Sequence, residues 1–143
     1  MSPAEIDALL ARLTPDLDRL AAPWAVIGSG ALILLGAPLD EAADLDIVTN
    51  PDGAGRLRAA WADWLAPGEA KSPDGPFRSD DFARYETPLG PVEVMGGLRV
   101  RGRLLDLAGP IPSAAEQLRI LRLFGRPKDL AKAARLEAWL AAG

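Results

Sequence analysis

The sequence contains neither cysteine nor histidine. Without cysteine there is no disulfide framework and no thiolate-held zinc. Without histidine there is no imidazole general base, no histidine-containing nucleophile triad and no nitrogen donor for the usual transition-metal sites. An excess of basic residues is missing too: Lys and Arg total 16 against 20 Asp and Glu, a formal net charge of −4. Phosphate neutralisation supplies most nonspecific nucleic-acid affinity, so this balance does not favour a nucleic acid as the main partner. The first residues lack the basic start and apolar run of a secretion signal, and no stretch is long enough to cross a bilayer. The expected location is cytoplasmic, with no membrane partner. What remains is carboxylate chemistry with hard cations such as Mg2+ or Mn2+.

At 143 residues, 49% of them hydrophobic, the chain is expected to form one domain spanning 1–143 around a single core. Its organising stretch is Trp24 to Asn50. Trp24-Ala25-Val26-Ile27 reads as a short buried strand, Gly28-Ser29-Gly30 as a tight turn, and Ala31 to Leu35 as an apolar helix stopped by Gly36-Ala37-Pro38. Asp44-Leu45-Asp46-Ile47-Val48-Thr49 then alternates polar and apolar residues, the period of a half-buried strand. Asp44 and Asp46 therefore share a face, with Cα atoms about 7 Å apart from a rise of roughly 3.4 Å per residue. Carboxylates this close repel each other and can share a divalent cation. An isolated Asp-x-Asp is commonly just a solvated strand edge. The preceding strand–glycine–helix unit adds free backbone N–H groups at a helix start, a seat for phosphate. Together they point to a metal–phosphate ligand.

Gly28-Ser29-Gly30-Ala31-Leu32 followed by Asp44-Leu45-Asp46-Ile47-Val48-Thr49 resembles the signature of the nucleotidyltransferase superfamily, the DNA polymerase β-like fold. Within it the chain is similar to small bacterial single-domain members and to the AbiEii-type toxin group. Those share the Gly-Ser-Gly-Ala opening, the Asp-Leu-Asp-Ile pair and a late Lys-Asp on a C-terminal helix. The resemblance implies Mg2+ (or Mn2+) held by Asp44, Asp46 and a third carboxylate on a later strand, with Gly28, Ser29 and Gly30 at the phosphates. It places Lys128, with Arg126, at the triphosphate of an NTP substrate. The implied reaction moves an NMP to a hydroxyl of a small molecule, an RNA or a protein. The alternative is a catalytically inactive module of the same fold that binds nucleotide or a partner, in a toxin–antitoxin system. The absence of an obvious acceptor-binding domain implies a helical partner chain or a homodimer.

The remaining elements frame this site. Residues 3 to 21 read as an amphipathic packing helix capped by Ser2, with Ile6, Leu9, Leu10 and Leu13 on one face. Pro15 is expected to break or kink it after Leu13, and Leu17 and Leu20 continue the stripe. Asn50 to Gly53 reads as a turn before a helix from about 53 to 65, and residues 66 to 76, rich in proline, as a loop. A strand falls within 77 to 85 and a hairpin turn at 87 to 91. Val92-Glu93-Val94-Met95 then alternates strictly, and a further strand is expected from about 99 to 107. The resemblance makes Glu93 the third carboxylate, with Asp106 held in reserve. Ser113 and Glu116 form a capping box for a helix whose core residues are Leu118, Leu121 and Leu123, and a last helix opens at Pro127 and runs to about 142. The fold class is α/β (α+β): a short mixed sheet with helices packed on one face and the carboxylates along an edge of the other.

Overall fold

The computed structural model describes residues 1–67, 76–107 and 109–142. In chain order it runs α1 (Pro3–Asp18), β1 (Trp24–Ile27), α2 (Gly28–Leu34), β2 (Leu45–Thr49) and α3 (Pro51–Ala60). A 3₁₀ turn (Ala62–Trp64) follows, then β3 (Phe77–Arg78), β4 (Asp81–Thr87), β5 (Gly90–Gly96), β6 (Arg99–Val100) and β7 (Arg103–Leu104). The chain ends in α4 (Ala114–Phe124) and α5 (Pro127–Ala142). The main sheet is ordered β1-β2-β5-β4, and β3-β6-β7 form a small second sheet. β2 is antiparallel to β1 and parallel to β5, and β4 and β5 form an antiparallel hairpin. A parallel neighbour needs a crossover connection, here supplied by α3 and the edge strand β4.

The two-residue period sorts the main sheet into faces. Val26, Leu45, Ile47, Ala83, Tyr85, Val92 and Val94 join Ile6, Leu9, Leu13 and Leu17 of α1 and Ala54 and Leu57 of α3 in one apolar core. This is the helical layer expected on one face. The opposite face is divided. Val48, Met95 and Phe82 lie in one cross-strand row and pack with Leu98, Leu105 and Ile120 of α4. The adjacent row carries the acids described below. α2 is wedged between layers: Ala31 and Ile33 join the main core, while Leu32 packs with Leu121, Ala133 and Leu136 of α4 and α5.

Several local expectations change. α1 runs through Pro15 without breaking. Proline in a helix interior costs about 3 kcal/mol, but Leu13 and Leu17 on either side of it are both buried, each worth roughly 1.5–3 kcal/mol. Burial outweighs the lost backbone bond. Asn50 opens α3 rather than a turn, its Oδ1 accepting from the Gly53 N–H at 2.7 Å, and α3 gives way to the 3₁₀ turn short of Leu65. The expected 99–107 strand is two short strands, because Arg101 and Gly102 both adopt positive φ (52° and 80°) and reverse the chain. In α4, Ser113 caps as expected, while the Glu116 carboxylate binds Arg119 at 2.9 Å. Leu121 is buried and Leu118 and Leu123 pack, partly buried, against the core as expected, and Gln117 and Ile120 are buried beside them. Most of the expected 66–76 loop lies outside the described residues.

The outer edge of β1 is closed from far along the chain. The Val26 N–H donates to the Pro110 carbonyl at 2.8 Å, and buried Gln117 Nε2 donates to the Val26 carbonyl at 3.2 Å. These bonds satisfy an otherwise open strand edge. They also fix α4 against β1, and with it α5, whose start faces the acidic row.

Candidate active site

Asp46 on β2 and Glu93 on β5 are direct cross-strand partners. Their side chains stand side by side because adjacent strands lie about 4.8 Å apart. Asp44 precedes β2 by one residue and falls on the same face two positions upstream. One carboxylate oxygen from each of Asp44, Asp46 and Glu93 lies within 4.8 Å of the others. Glu93 thus joins the pair, whereas exposed Asp106, beyond β7, lies outside the cluster.

Concentrating three carboxylates in half-buried positions is costly, and the acidity of Asp46 and Glu93 shows it. Burial, reinforced by the charges of Asp44 and Glu93, pushes the Asp46 carboxyl well above its ordinary range; the Lys132 charge pulls the other way. Burial and the Asp44 charge raise Glu93 as well, opposed by Arg84. The donors are all anionic hard oxygens without nitrogen or sulfur, which suits Mg2+ or Mn2+ rather than zinc. A bound divalent cation would also relieve the repulsion that now favours protonation. The residues fit such an ion.

Gly28 makes room for the cluster. Its φ is +76°, and a Cβ at this position would lie 2.7 Å from Asp46 Oδ2. The start of α2 thus closes directly onto the Asp46 carboxylate, with no turn between β1 and the helix. Ile27 at the helix start offers no side-chain cap. Gly28 and Ser29 line the cavity beside the acids, but Gly30 does not: it is buried, and a Cβ there would approach Leu45 Cδ1 at 3.1 Å.

That cavity has a volume of about 490 Å³, and its lining also includes basic residues from α5 and the residue before it. Arg126, Lys128, Asp129 and Lys132, at and near the start of α5, all line it. Asp129 is buried and accepts from the Arg126 backbone N–H and from its guanidinium at 2.5 and 3.1 Å. The same guanidinium stacks over Phe77 at 4.8 Å and Phe124 at 5.4 Å. Arg126 is therefore committed to holding this part of the lining together, while Lys128 and Lys132 present the cationic side chains. The rest of the lining is apolar and includes Phe77, Phe82, Met95 and Phe124.

Two cluster neighbours were not among the residues singled out from sequence. Lys132 is one helical turn after Lys128, a spacing that puts both on one face. Arg84 is the in-register partner of Glu93 on β4. Its Nη1 lies 3.0 Å from Glu93 Oε1 and 3.5 Å from Asp44 Oδ2, and its Nε lies 2.9 Å from Glu86 Oε1. The signal for Arg84 was the hairpin turn: pairing Thr87 with Gly90 brings Arg84 opposite Glu93.

No family model and no curated protein matches the chain. Among solved structures it is similar to the crystal structure of a Thermotoga maritima protein provisionally named a nucleotidyltransferase. The TM-score is 0.71 at 22% identity, covering 100% of this chain and 97% of that one. The fold is nucleotidyltransferase-like.

Proposed function

We propose that this chain is a single-domain, Mg2+- or Mn2+-dependent nucleotidyltransferase that moves an NMP from an NTP to a hydroxyl acceptor and releases pyrophosphate. The observation that carries the reading is the convergence of Asp44, Asp46 and Glu93 in a cavity that Lys128 and Lys132 also line. Acids and lysines lining one cavity suit a ligand that brings a cation and a polyphosphate together. Asp44, Asp46 and Glu93 would hold the cation. When bound, it supplies charge neutralisation of the triphosphate and lowers the pKa of the acceptor hydroxyl.

The chain's own residues do the rest. Gly28 and Ser29 bind phosphate oxygens through backbone N–H groups and the Ser29 hydroxyl. Lys128 and Lys132 stabilise the charge that develops on the departing pyrophosphate. Glu93 takes the proton from the acceptor hydroxyl through its ionised carboxylate. Gly30 acts by packing, letting α2 sit against Leu45. Arg126 acts by fixing the segment that presents Lys128.

The test is a thermal unfolding titration with Mg2+ and a nonhydrolysable nucleoside triphosphate, on the wild type and Asp46→Asn. Ligand at a hundred times its Kd stabilises the folded state by about 2.7 kcal/mol. The reading requires a shift that depends on both metal and nucleotide and disappears in Asp46→Asn. No shift in the wild type would end it. The narrower likeness to AbiEii-type toxins requires in addition that expression arrests growth and that Asp46→Asn relieves the arrest.

A further inference from the structure

We propose that Arg84 is an internal counter-ion that a divalent cation must displace from the acidic cluster, so that it keeps the acids assembled without metal and limits how tightly metal is held. The inference rests on reading the cluster as a cation site.

Register makes the contact obligatory. Arg84 pairs with Glu93 across the β4–β5 hairpin, and Glu93 pairs with Asp46 across β5–β2, so the three side chains form one row on one face. The guanidinium Nη1 is shared between two members of the cluster, Glu93 at 3.0 Å and Asp44 at 3.5 Å. A divalent cation bound by those carboxylates would face a like charge only a few ångströms away. Arginine stays protonated throughout the working pH range, so the conflict cannot be relieved by losing a proton.

The structure also gives the displaced group somewhere to stay. Arg84 Nε is held at 2.9 Å by Glu86, two residues along β4 and outside the cluster. With its side chain 39% exposed, Arg84 can keep Glu86 while its Nη1 gives up Asp44 and Glu93. Arg84 has no place among the residues lining the main cavity, so its withdrawal opens the cluster without blocking the basic residues there. A purely structural arginine would instead commit its fork to one carboxylate, as Arg126 does with Asp129.

The test is calorimetric titration of Mn2+ into wild type, Arg84→Gln, Arg84→Lys and Asp46→Asn, with unfolding in EDTA followed in parallel. Arg84→Gln is expected to bind Mn2+ at least tenfold more tightly than the wild type and to melt at a lower temperature in EDTA. Arg84→Lys, which keeps the charge but loses the fork, is expected to fall between them. Arg103→Gln, on exposed β7, changes net charge equally and is expected to leave the affinity within twofold. Mn2+ affinity in folded Arg84→Gln that is unchanged or weaker than wild type overturns the proposal. If Arg84→Gln does not fold in EDTA, Arg84→Lys decides by the same criterion. Wild-type binding that Asp46→Asn abolishes and Arg84→Gln leaves unchanged refutes only the role of Arg84. No Mn2+ binding in either the wild type or Arg84→Gln refutes the cation site as well.

Discussion

Gly28→Ala tests whether the start of α2 and the acidic cluster are one mechanical unit. The substitution has two separable effects. The first is conformational: Gly28 has φ of +76°, and a residue with a Cβ pays about 1–2 kcal/mol to adopt the left-handed region. The second is steric: the new Cβ would sit 2.7 Å from Asp46 Oδ2, closer than such contacts occur, so the carboxylate must rotate away. Gly36 isolates the first effect, since its φ is +88° and a Cβ there meets nothing within 4 Å among the described residues. Both alanine variants should therefore lose about 1–2 kcal/mol in urea unfolding. Only Gly28→Ala should lose Mn2+ affinity, by tenfold or more, because β2 fixes the Asp46 backbone and only its side chain can yield. Wild-type Mn2+ binding by Gly28→Ala, or an equal loss of binding in Gly36→Ala, would refute the coupling.

Further outcomes follow from buried polar groups. Among the described residues the buried Tyr85 hydroxyl has no partner, so Tyr85→Phe should stabilise the fold by about 1 kcal/mol or more in urea, since burying an unsatisfied hydroxyl costs about 1–3 kcal/mol. Burial pushes the Tyr85 phenol from 10.0 up to about 12, so the folded state keeps a proton that the unfolded state releases. Wild-type stability should fall between pH 10 and 12 by about 2–3 kcal/mol, from about 1.36 kcal/mol per unit, and Tyr85→Phe should lose this component of the slope. Asp46 is likewise raised above 3.8, so in EDTA Asp46→Asn should gain stability relative to wild type as pH rises past that value, and saturating Mn2+ should reverse the ranking. A pH-independent difference in melting temperature would contradict this. Arg126→Ala removes the guanidinium that holds the buried Asp129. It should cost about 2–3 kcal/mol, less than the 3–5 kcal/mol of a fully buried pair because the Arg126 side chain is itself 38% exposed. Lys128→Ala should barely change the urea midpoint while weakening the nucleotide-dependent thermal shift.

The parts of the site that were legible in the sequence are those written in local period. Alternation over residues 44–49 and 92–95 put Asp44 and Asp46 on one face and set Glu93 apart from Val92 and Val94. The order of strands was not legible. Nothing near residue 46 states that its neighbour is residue 93, because parallel pairing is decided by the shared core of Leu45, Ile47, Val92 and Val94. Proline does not interrupt the chain at either Pro15 or Pro51, for different reasons: burial around Leu17 carries α1 through one, and the other occupies the first turn of α3, where no backbone donor is needed. The split of the 99–107 strand turned on Arg101 adopting a conformation usually left to glycine or asparagine, which residue type does not announce. Nothing in the local sequence marks Gln117 as buried; the open edge of β1, which its side chain caps, explains why it is.

The order in which the cavity's acidic and basic residues enter the sequence has a kinetic consequence. Every strand of the acidic row is complete by Gly96, whereas Lys128 and Lys132 arrive at the far end of the chain. A nascent chain emerging from its N-terminus can therefore gather the carboxylates before Lys128 and Lys132 exist to balance them. During that interval the nearest compensating charge is Arg84, brought to Glu93 by closing a hairpin, a contact of short loop length that forms early. Weakening that hairpin is expected to slow the pairing of β5 with β2 more than it lowers final stability, because it removes this neutralisation before Lys128 and Lys132 are made.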